Sequence, residues 1–322
     1  MDNYDCAIGW RGELDDFFIN HLYDQCIAKG LKVIIIDEKA LLNLSHEIRA
    51  GELRIKFYYD FASETFDKND GFMKMAYLLK YAGTQIVDDP DNVKAAADKS
   101  ITHFNLIRNN ISVPRSLIVS KENTISSLTS EEKQKLGENV VLKPALGYAL
   151  KGVKITTLEK ALLEILNIQK NDDQQRFLIQ EIIRPQDLDG RPAWFRVFHF
   201  FSELIICWWD PNTHIYKQTS LQEMDKYKLF PILPIVNKIG RITNIDWFST
   251  EITINKNNGD FVVIDYVNDQ CMMDPQSKSY DGVPDSLVIH LATRMAEKVH
   301  YYIRNKKAYD QMAIWLPIEP GL

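Results

Sequence analysis

The sequence predicts an α/β protein whose C-terminal half belongs to the α+β class. Over residues 1–90, short apolar strands alternate with amphipathic helices, a pattern that indicates a parallel sheet with helices on its faces. From Ala193 onwards, strand-like stretches predominate, and Asn257–Asn258–Gly259 is typical of a hairpin turn. A proline-containing break at residues 88–93 separates the two parts and is the predicted domain boundary.

Composition excludes several classes of protein. Of the 322 residues, 45% are hydrophobic and 25% are charged, which is usual for a folded globular chain and unlike disordered or collagen-like sequences. The net charge of −6 argues against sequence-independent binding of nucleic acid, because such binding depends on positive charge. We therefore expect no nucleic-acid partner.

The sequence also predicts a cytoplasmic protein without a membrane partner. Its longest apolar runs, LKVIIID and ELIICWWD, are far shorter than the ~20 residues that a membrane-spanning helix needs. The acidic N-terminus lacks the basic and apolar regions of a signal peptide. Four widely separated cysteines, at positions 6, 26, 207 and 271, are expected to be reduced and buried.

The first part of the chain alternates strands and helices in a regular order. Strands are predicted at residues 5–10, 31–37, 55–61 and 84–89, and helices at residues 13–29 and 71–83. Ligands of parallel sheets bind beyond the carboxyl ends of the strands. Gly9, Trp10 and Arg11, at the end of the first strand, are therefore candidates for a site entrance, with an ordinary loop as the alternative.

The second part begins with mixed elements and then becomes rich in strands. Helices are predicted at residues 93–111, 130–137, 157–171 and 284–305. Strands are predicted on both sides of a loop at residues 145–152, and at residues 112–120, 175–183, 193–201, 203–210 and 250–269, the last containing the hairpin turn.

Three oxygen-bearing side chains near this hairpin predict a metal site. Glu251 begins one strand, Asp265 ends the other, and Asn268 lies just beyond. The turn brings Glu251 and Asp265 side by side, at the ~4.5–5.5 Å typical of strand pairs. Two carboxylates this close repel each other unless a cation or proton lies between them. With an amide oxygen they suit Mg²⁺ or Mn²⁺ bound with substrate phosphates, and hydrogen-bonded carboxylates on a solvated hairpin are the alternative.

Lys99, Lys143 and Arg196 are candidate anion-binding residues. Lys143 ends an apolar strand, and Lys99 lies in a helix after the domain boundary. A lysine provides a mobile point charge for phosphate groups, although an ordinary surface position is the alternative for each. Arg196 lies within the aromatic strand AWFRVFHFF, where burial requires an anionic partner. This favours a functional role for Arg196.

The segment LIQEIIRPQD is a candidate adenine site. An extended apolar strand that leaves a covered sheet can offer backbone C=O and N–H groups, here those of Glu181 and Ile183, to the adenine edge. Asp187, a few residues later, is an acceptor for the ribose hydroxyls. On its own this pattern does not distinguish an adenine site from an ordinary strand.

Taken in order along the chain, these motifs resemble the ATP-grasp superfamily, which includes glutathione synthetase and D-alanine–D-alanine ligase. The resemblance covers about residues 91–305 and is carried by five stretches: DKSITHFNLIRNNISVP, VVLKPALGYALKGV, FLIQEII, FRVF and EITINKNNGDFVVIDYVND. It implies a Rossmann-like domain at residues 1–90 and an ATP-grasp N-terminal subdomain at 91–180. A C-terminal subdomain at 181–322 would carry the metal-binding hairpin and a terminal helix.

The resemblance also implies a role for each candidate residue. Lys99 and Lys143, with additional charge from Lys151, would bind the phosphates of ATP under a loop at residues 145–152. The other implied assignments are Glu181 and Ile183 to adenine, Asp187 to ribose, Arg196 to the transferred phosphate or acylphosphate, and Glu251, Asp265 and Asn268 to magnesium.

Two features depart from the family's pattern. The metal motif usually has an acid and an asparagine two residues apart, whereas Asp265 and Asn268 are three apart. A β-bulge would have to turn Asn268 back to the face of Asp265, or Asp269 would replace it. The phosphate loop contains Tyr148 and Leu150 and is poorer in glycine than is usual, which bears on its closure.

The resemblance implies a ligase that uses ATP with Mg²⁺ or Mn²⁺. A carboxylate of a small molecule or peptide would be activated as an acylphosphate and joined to an amine, a thiol or a similar nucleophile. A homodimer is compatible with the resemblance. Trp208, Trp209 and Tyr216 are candidates for the acceptor pocket, with a position in the core as the alternative.

Three alternative functions remain open at the level of sequence. A small-molecule kinase of the same fold would need a basic substrate pocket, and no dense cluster of lysine and arginine lies near the predicted site. A nucleotide-binding module without catalysis would not need both lysines and all three metal ligands. A structural protein would not be stabilised against unfolding by Mg-ATP.

Overall fold

Three sheets of four or five strands follow one another along the described part of the chain in the computed structural model of the protein. It describes residues 2–12, 15–121, 129–147, 152–170, 175–201 and 203–305. The first sheet is parallel, and the second and third are antiparallel. This arrangement confirms the predicted α/β class with an α+β C-terminal half.

The first sheet places the carboxyl ends of its strands along one edge. It contains β1 (Asp2–Gly9), β2 (Val33–Ile36), β3 (Leu53–Asp60) and β4 (Gln85–Val87), in the order β2-β1-β3-β4. The connecting helices are α1 (Asp16–Ala28), α2 (Leu41–Ala50) and α3 (Gly71–Tyr81), of which α2 is absent from the sequence-based prediction. Gly9 pairs with both Ile36 and Asp60, so β1, β2 and β3 end level with one another.

The predicted helix at residues 93–111 is wrong, because two helices occupy this part of the chain. α4 (Pro90–Ala97) and α5 (Lys99–Arg108) are separated by Asp98, which is extended with φ −74° and ψ 102°. The carboxylate of Asp98 accepts a hydrogen bond from the backbone N–H of Ser100 at 3.0 Å. Asp98 therefore caps α5 and ends the preceding helix.

The second sheet has its own core. It contains β5 (Ser116–Val119), β6 (Asn139–Pro144), β7 (Lys154–Thr157) and β8 (Phe177–Glu181), in the order β5-β8-β6-β7. The connecting helices are α6 (Ser130–Leu136) and α7 (Leu158–Gln169). Val140, Ile165 and Ile179 are buried between this sheet and α7. Lys143 thus lies near the end of a central strand.

The third sheet follows a short hairpin formed by β9 (Asp187–Leu188) and β10 (Arg191–Pro192). It contains β11 (Trp194–Phe200), β12 (Glu203–Trp209), β13 (Tyr216–Gln218), β14 (Trp247–Ile254) and β15 (Phe261–Asn268), in the order β13-β12-β11-β14-β15. Between β13 and β14 lie α8 (Leu221–Lys226) and α9 (Ile232–Thr243), which the sequence-based prediction lacks. Val236 and Ile239 of α9 pack in a core with Val197 of β11.

The last described helix, α10 (Asp285–Asn305), joins the N-terminal unit to the third sheet. Its residues Leu291 and Met295 share a core with Phe18 of α1 and Phe198 of β11. Neighbouring residues of a strand face opposite sides, so this core covers the face of the sheet opposite to Val197. The helix agrees with the predicted range, whereas the predicted division of the chain at residues 90 and 180 stays a prediction.

Two expectations from composition are consistent with the described residues. All four cysteines are buried, which confirms their predicted burial, whereas their reduced state stays a prediction. Across the described ranges, the helices are too short or too polar to cross a membrane.

A buried polar network connects the second and third sheets. The hydroxyl of Tyr266 on β15 lies 2.5 Å from Nδ1 of His103 on α5. It also accepts a hydrogen bond from Gln180 on β8 at 2.7 Å, and Gln180 donates to Ser116 on β5 at 2.9 Å. No sequence pattern predicts this network, which fixes the position of β15 relative to the second sheet.

The stability of the protein is expected to fall on acidification partly through His103. Burial lowers the pKa of His103 from 6.5 to about 4, and the charge of Lys143 acts in the same direction. A histidine whose pKa is depressed in the folded state contributes stability above its unfolded pKa, and this contribution is lost as the pH falls through the folded pKa. His103→Gln should therefore reduce the slope of the free energy of unfolding by up to about 1.4 kcal/mol per pH unit between these values.

Urea unfolding at several pH values measures this slope. His46→Gln, on the exposed side of α2, removes an imidazole without disturbing the core and serves as the matched control. If His103→Gln and His46→Gln give the same slope, burial of His103 is not a source of acid sensitivity.

Candidate functional site

The hairpin of β14 and β15 brings the two predicted carboxylates together. Glu251 lies directly opposite Asp265, which confirms the predicted pairing. Both residues lie within eight-residue strands, so their predicted places at a strand start and a strand end are wrong. β14 extends back to Trp247 because it pairs with β11 along almost its whole length.

The register of this hairpin changes between Asp265 and Asn268. Asn268 pairs with Ser249 and Asp265 with Glu251, so β15 carries one residue more than β14 over this interval. This is the predicted β-bulge. Because Ser249 and Glu251 are two residues apart, they share a face of the sheet, and their partners share it with them. Asn268 donates from Nδ2 to the Oγ of Ser249 at 3.4 Å.

Arg196 lies on β11 directly across from Glu251, and its side chain is 13% exposed. Its Nη1 donates to Oε1 of Glu251 at 3.0 Å, and its Nε donates to Oγ of Ser249 at 3.1 Å. Trp194 donates to the other oxygen of Glu251 at 3.0 Å. Among the described residues, no acceptor contacts Nη2 of Arg196. The N–H groups of this nitrogen are therefore available to donate to a phosphate oxygen.

Lys143, near the end of β6, reaches from the second sheet to the third. Its Nζ donates to the backbone carbonyl of Ile264 on β15 at 3.0 Å. Ile264 precedes Asp265, and the charges of Asp265 and Glu251 both act on the Lys143 ammonium. The structure therefore gathers Lys143, Arg196, Glu251 and Asp265 where the second and third sheets meet.

Burial governs the electrostatics of this cluster. It raises the pKa of Glu251; Arg196 and Lys143 oppose this rise, and Asp265 adds to it. It lowers the pKa of Lys143, against the opposing effect of Asp265 and Glu251. Two carboxylates and two cationic side chains thus share a site with little contact with water, where each charge acts strongly on the others.

Lys99 is the first residue of α5 and contacts the loop predicted to cover the phosphates. Its Nζ donates to the carbonyl of Gly147 at 2.6 Å, and its backbone N–H donates to the carbonyl of Ala145 at 2.9 Å. The charge of Lys99 also acts on Lys143. Residues 148–151 lie outside the described residues, so the predictions for Lys151, Tyr148 and Leu150 remain predictions.

The segment predicted to bind adenine connects the second and third sheets. Glu181 ends β8, and its side chain accepts a hydrogen bond from the backbone N–H of Arg115 at 2.8 Å. Gln186 donates from its backbone N–H to the carbonyl of Ile254 at 2.8 Å, which holds the segment against the end of β14. Ile183 lies half-buried between these contacts, and the adenine assignment stays a prediction.

Asp187 has a structural role that the sequence does not predict. It is exposed, and its Oδ1 accepts a hydrogen bond from the backbone N–H of Gly190 at 2.8 Å. Asp187 therefore closes the turn between β9 and β10. The ribose assignment stays a prediction.

Of the three aromatic candidates for an acceptor pocket, two lie near Arg196. The ring of Trp209 is 5.4 Å from the Arg196 guanidinium carbon and 4.4 Å from the ring of Tyr216. Trp208 points to the opposite face, where it is 4% exposed and packs 4.7 Å from the ring of Phe195. Trp208 therefore lies in the core, which was the alternative to the acceptor pocket, because successive residues of a strand face opposite sides of the sheet.

Arg11, predicted with Gly9 and Trp10 to mark a site entrance, holds loops together. Its Nε donates to the carbonyl of Ala62 at 2.7 Å, and its guanidinium pairs with Asp70 and Glu38. These contacts favour the alternative of an ordinary loop.

The oxygen ligands at the hairpin fit a magnesium ion bound together with phosphate. No described residue donates a hydrogen bond to the Asp265 carboxylate, and the oxygens of Glu251 each use one donor and retain a lone pair. Within the described ranges, no three His, Cys, Asp or Glu side chains converge as a closed protein site would require. Mg²⁺ usually binds one or two carboxylates and completes its shell with phosphate oxygens and water, so Glu251, Asp265 and Asn268 match this mode.

Comparison with known proteins identifies the fold. No protein-family model and no curated protein matches the sequence. The structure resembles D-alanine–D-alanine ligase from Bacillus anthracis, complexed with ATP, with a TM-score of 0.64 and 15% identity over 96% of this chain and 100% of that one. A RimK-domain ATP-grasp protein from Sphaerobacter thermophilus gives a TM-score of 0.63 and 16% identity, over 91% and 99% of the two chains.

A third similar structure contains a peptide. The macrocyclase MdnC from Microcystis aeruginosa, bound to the precursor peptide MdnA, gives a TM-score of 0.62 and 8% identity, over 91% of this chain and 99% of that one. The chain therefore has the ATP-grasp fold, and the resemblance found in the sequence is confirmed at the level of fold.

Proposed function

We propose that the protein is an ATP- and Mg²⁺-dependent ligase that activates a carboxylate as an acylphosphate and joins it to an amine. The observation that carries this proposal is the cluster of Lys143, Arg196, Glu251 and Asp265 at the junction of two antiparallel sheets. A buried cluster of this kind has cationic donors for phosphate and carboxylates for a metal, which is the combination that phosphoryl transfer requires.

The reaction consists of two displacements. A substrate carboxylate oxygen attacks the γ-phosphorus of ATP, the bond to the ADP oxygen breaks, and an acylphosphate and ADP are formed. The amine nitrogen then attacks the acyl carbon, the carbon–oxygen bond to phosphate breaks, and an amide, inorganic phosphate and one proton result. Lys143 and Lys99 would bind phosphate oxygens, and Arg196 would hold the transferred group.

The remaining residues would position the nucleotide and the metal. Glu251, Asp265 and Asn268 would hold the magnesium ion, which when bound neutralises charge on the phosphates and orients them. Glu181, Ile183 and Asp187 would contact adenine and ribose, and Lys151 would add charge at the phosphate loop. Because phosphoryl transfer depends mainly on positioning and charge neutralisation, each of these contacts contributes to the rate.

The similar structures support ATP as the nucleotide, and they suggest two classes of substrate to test. The ligase from Bacillus anthracis is a D-alanine–D-alanine ligase complexed with ATP, and MdnC is bound to a peptide. We include both a free amino acid and a peptide side-chain carboxylate among the substrates to test. Trp209 and Tyr216, beside Arg196, would form an aromatic wall of the acceptor pocket.

Release of ADP and phosphate from Mg-ATP tests the proposal. The purified protein is screened with pooled amino acids, short peptides and inositol phosphates, and the Glu251→Ala/Asp265→Ala variant is the control. We expect release of both products in the presence of a carboxylate and an amine, and a loss of about 10³-fold or more in the variant, because the proposed metal ligands are removed.

Two other outcomes point to other functions. ADP without inorganic phosphate, together with a phosphorylated product, would identify a kinase. Mg-ATP binding without turnover on any pool would limit the conclusion to a nucleotide-binding module, and the ligase proposal would be withdrawn.

A further inference from the structure

The hydroxyl of Ser249 lies between the arginine and the asparagine of the candidate site. Ser249 is completely buried on β14 and shares a face of the sheet with Glu251, two residues later. Its Oγ accepts hydrogen bonds from Nε of Arg196 at 3.1 Å and from Nδ2 of Asn268 at 3.4 Å. One buried oxygen thus joins the residue proposed to hold the transferred phosphate and a residue proposed to bind magnesium.

The partners of Ser249 determine the direction of each of its hydrogen bonds. A hydroxyl has two lone pairs and one hydrogen, and Nε of a guanidinium can only donate. The hydrogen of Ser249 is directed to Cys271: burial raises the pKa of the Cys271 thiol to about 12, and a hydrogen bond from Ser249 opposes this rise. Only a lone pair of Ser249 is left for Asn268, so the amide of Asn268 presents its NH₂ group to Ser249.

This hydrogen bond leaves the oxygen of the Asn268 amide available to a cation. An amide has an oxygen that can bind a metal ion and an NH₂ group that only donates hydrogen bonds. With Nδ2 directed to Ser249, no donor among the described residues contacts Oδ1 of Asn268. The β-bulge returns Asn268 to the face of Asp265, but it does not determine how the amide is turned. Ser249 provides this second condition.

Ser249 also fixes the plane of the Arg196 guanidinium. Nε donates to Ser249, and Nη1 donates to Glu251 at 3.0 Å. Because the guanidinium is planar, bonds at two of its nitrogens set the direction of the third. Without the hydroxyl, Arg196 would be held by Glu251 and would have a buried Nε–H without an acceptor, which is costly. The same oxygen therefore orients a metal ligand and a phosphate donor.

On the basis of the proposed ligase function, we infer that Ser249 is a positioning residue for the magnesium site. It turns the amide of Asn268 so that the oxygen, and not the NH₂ group, is offered to the ion. Ser249 acts through Asn268 and is not itself a ligand. Loss of an outer hydrogen bond to a metal ligand typically lowers metal affinity by about 10–100-fold.

A titration with Mg²⁺ tests this inference through binding and does not depend on turnover. The melting temperature Tm of the whole protein is measured against Mg²⁺ concentration in the presence of a non-hydrolysable ATP analogue. We expect Ser249→Ala to weaken the apparent affinity for Mg²⁺ by about tenfold or more, and Ser249→Thr, which keeps the hydroxyl, to restore most of it.

A second buried hydroxyl of the same strand provides the matched control. Thr253 is completely buried on β14, and its Oγ1 donates to the carbonyl of Ala193 at 2.7 Å. Thr253→Val removes this hydroxyl without touching Arg196 or Asn268, and it should leave the affinity for Mg²⁺ unchanged. Equal affinities in Ser249→Ala and Thr253→Val would overturn the inference.

A change at Asn268 separates orientation from general damage. A carboxylate has an oxygen at both ends, so Asn268→Asp needs no hydroxyl to select the end that faces the ion. Adding Ser249→Ala to Asn268→Asp should therefore cost little affinity for Mg²⁺, although the same change is costly beside the natural asparagine. Equal losses in the two backgrounds would show that Ser249 acts independently of Asn268, and the inference would be wrong.

The remaining outcomes are also decisive. If Ser249→Ala does not fold, Ser249→Thr and Ser249→Val are compared, because these two side chains have the same shape and differ in the hydroxyl. Failure of all three variants to fold would assign Ser249 to stability alone and would overturn the inference. A Tm of the unmodified protein that does not respond to Mg²⁺ and the ATP analogue contradicts the proposed function itself. A response that is equal in Ser249→Ala and the unmodified protein contradicts the role of Ser249 alone.

Discussion

Arg196→Leu is expected to lower the free energy of unfolding by about 3–5 kcal/mol and to abolish ADP release. In this variant Glu251 remains buried, with Trp194 as its neutral donor and Lys143 as a nearby charge. Removing one partner of a buried ion pair leaves the other charge without compensation, and this costs far more than the loss of a surface pair. Urea unfolding and ADP release measure the two effects separately.

A double variant distinguishes loss of the ion pair from loss of catalysis. Arg196→Leu/Glu251→Leu removes both charges and replaces them with apolar volume, so we expect it to recover most of the lost stability. ADP release should stay absent, because the variant lacks both Arg196, which would donate hydrogen bonds to the transferred phosphate, and Glu251, which would bind the metal. Arg54→Leu, on the exposed side of β3, is the matched control for arginine removal. A double variant as unstable as the single one would show that Arg196 stabilises mainly through Ser249 and Trp209.

The hairpin illustrates what can be predicted from the sequence. Asn257–Asn258–Gly259 fixes a tight turn, and counting outwards from it pairs Ile252 with Val263. A register shift after Ile252 then places Glu251 opposite Asp265. The three-residue spacing to Asn268 then demands an extra residue on one strand, and the structure contains that bulge. These are local constraints, in which turn chemistry and the two-residue period of strands determine which side chains share a face.

Of two features that the sequence-based prediction misses, one is a local side-chain cap and the other is a contact between distant parts of the chain. The break at Asp98 is formed by a short side chain that competes with the backbone for helix N–H groups, inside a stretch whose alanines favour a continuous helix. The pairing of His103 with Tyr266 joins residues far apart in sequence. Neither periodicity nor composition contains information about such a partner.

A small cavity between the first and third sheets, lined in part by Asp60, Asp88 and Asp269, could be predicted only in part. Asp60 and Asp88 each follow a strand of the parallel sheet, and the rule that ligands bind beyond the carboxyl ends of strands selects such positions. Applied to the first strand alone, that rule points to Arg11, which proves to hold loops together. Applied to β3 and β4, it would have pointed to the cavity. The contribution of Asp269 requires the third sheet to dock against the first and could not be read from the sequence.

Charge balance explains how the site stays folded before a nucleotide binds. Lys143 and Arg196 offset Glu251 and Asp265, so the cluster carries no excess charge in the described structure. In the proposed function, ATP would bring phosphates toward the cations, and magnesium would bring a divalent ion toward the carboxylates. Binding would therefore exchange one set of pairings for another, and each cationic side chain would have a role both in stability and in catalysis.

Lys143→Met tests this dual role with a large expected effect. It removes a buried ammonium that would bind phosphate, and we expect ADP release to fall by about 10²–10³-fold. It also leaves one of the two carboxylates without its counter-charge, so the free energy of unfolding should fall. Mg²⁺ alone should then raise Tm more in Lys143→Met than in the unmodified protein, because the metal replaces the missing positive charge.

The opposite changes in activity and in the response to Mg²⁺ distinguish this mechanism from general damage. Lys160→Met, on the exposed side of α7, removes a lysine of the same length and should alter neither quantity. A variant that loses activity but responds to Mg²⁺ as the unmodified protein does would place Lys143 away from the carboxylates in solution. Retention of activity in Lys143→Met would show that Lys143 does not bind the phosphates. A buried ammonium in contact with a transferred phosphoryl group cannot be lost without raising the barrier to the transfer of that group.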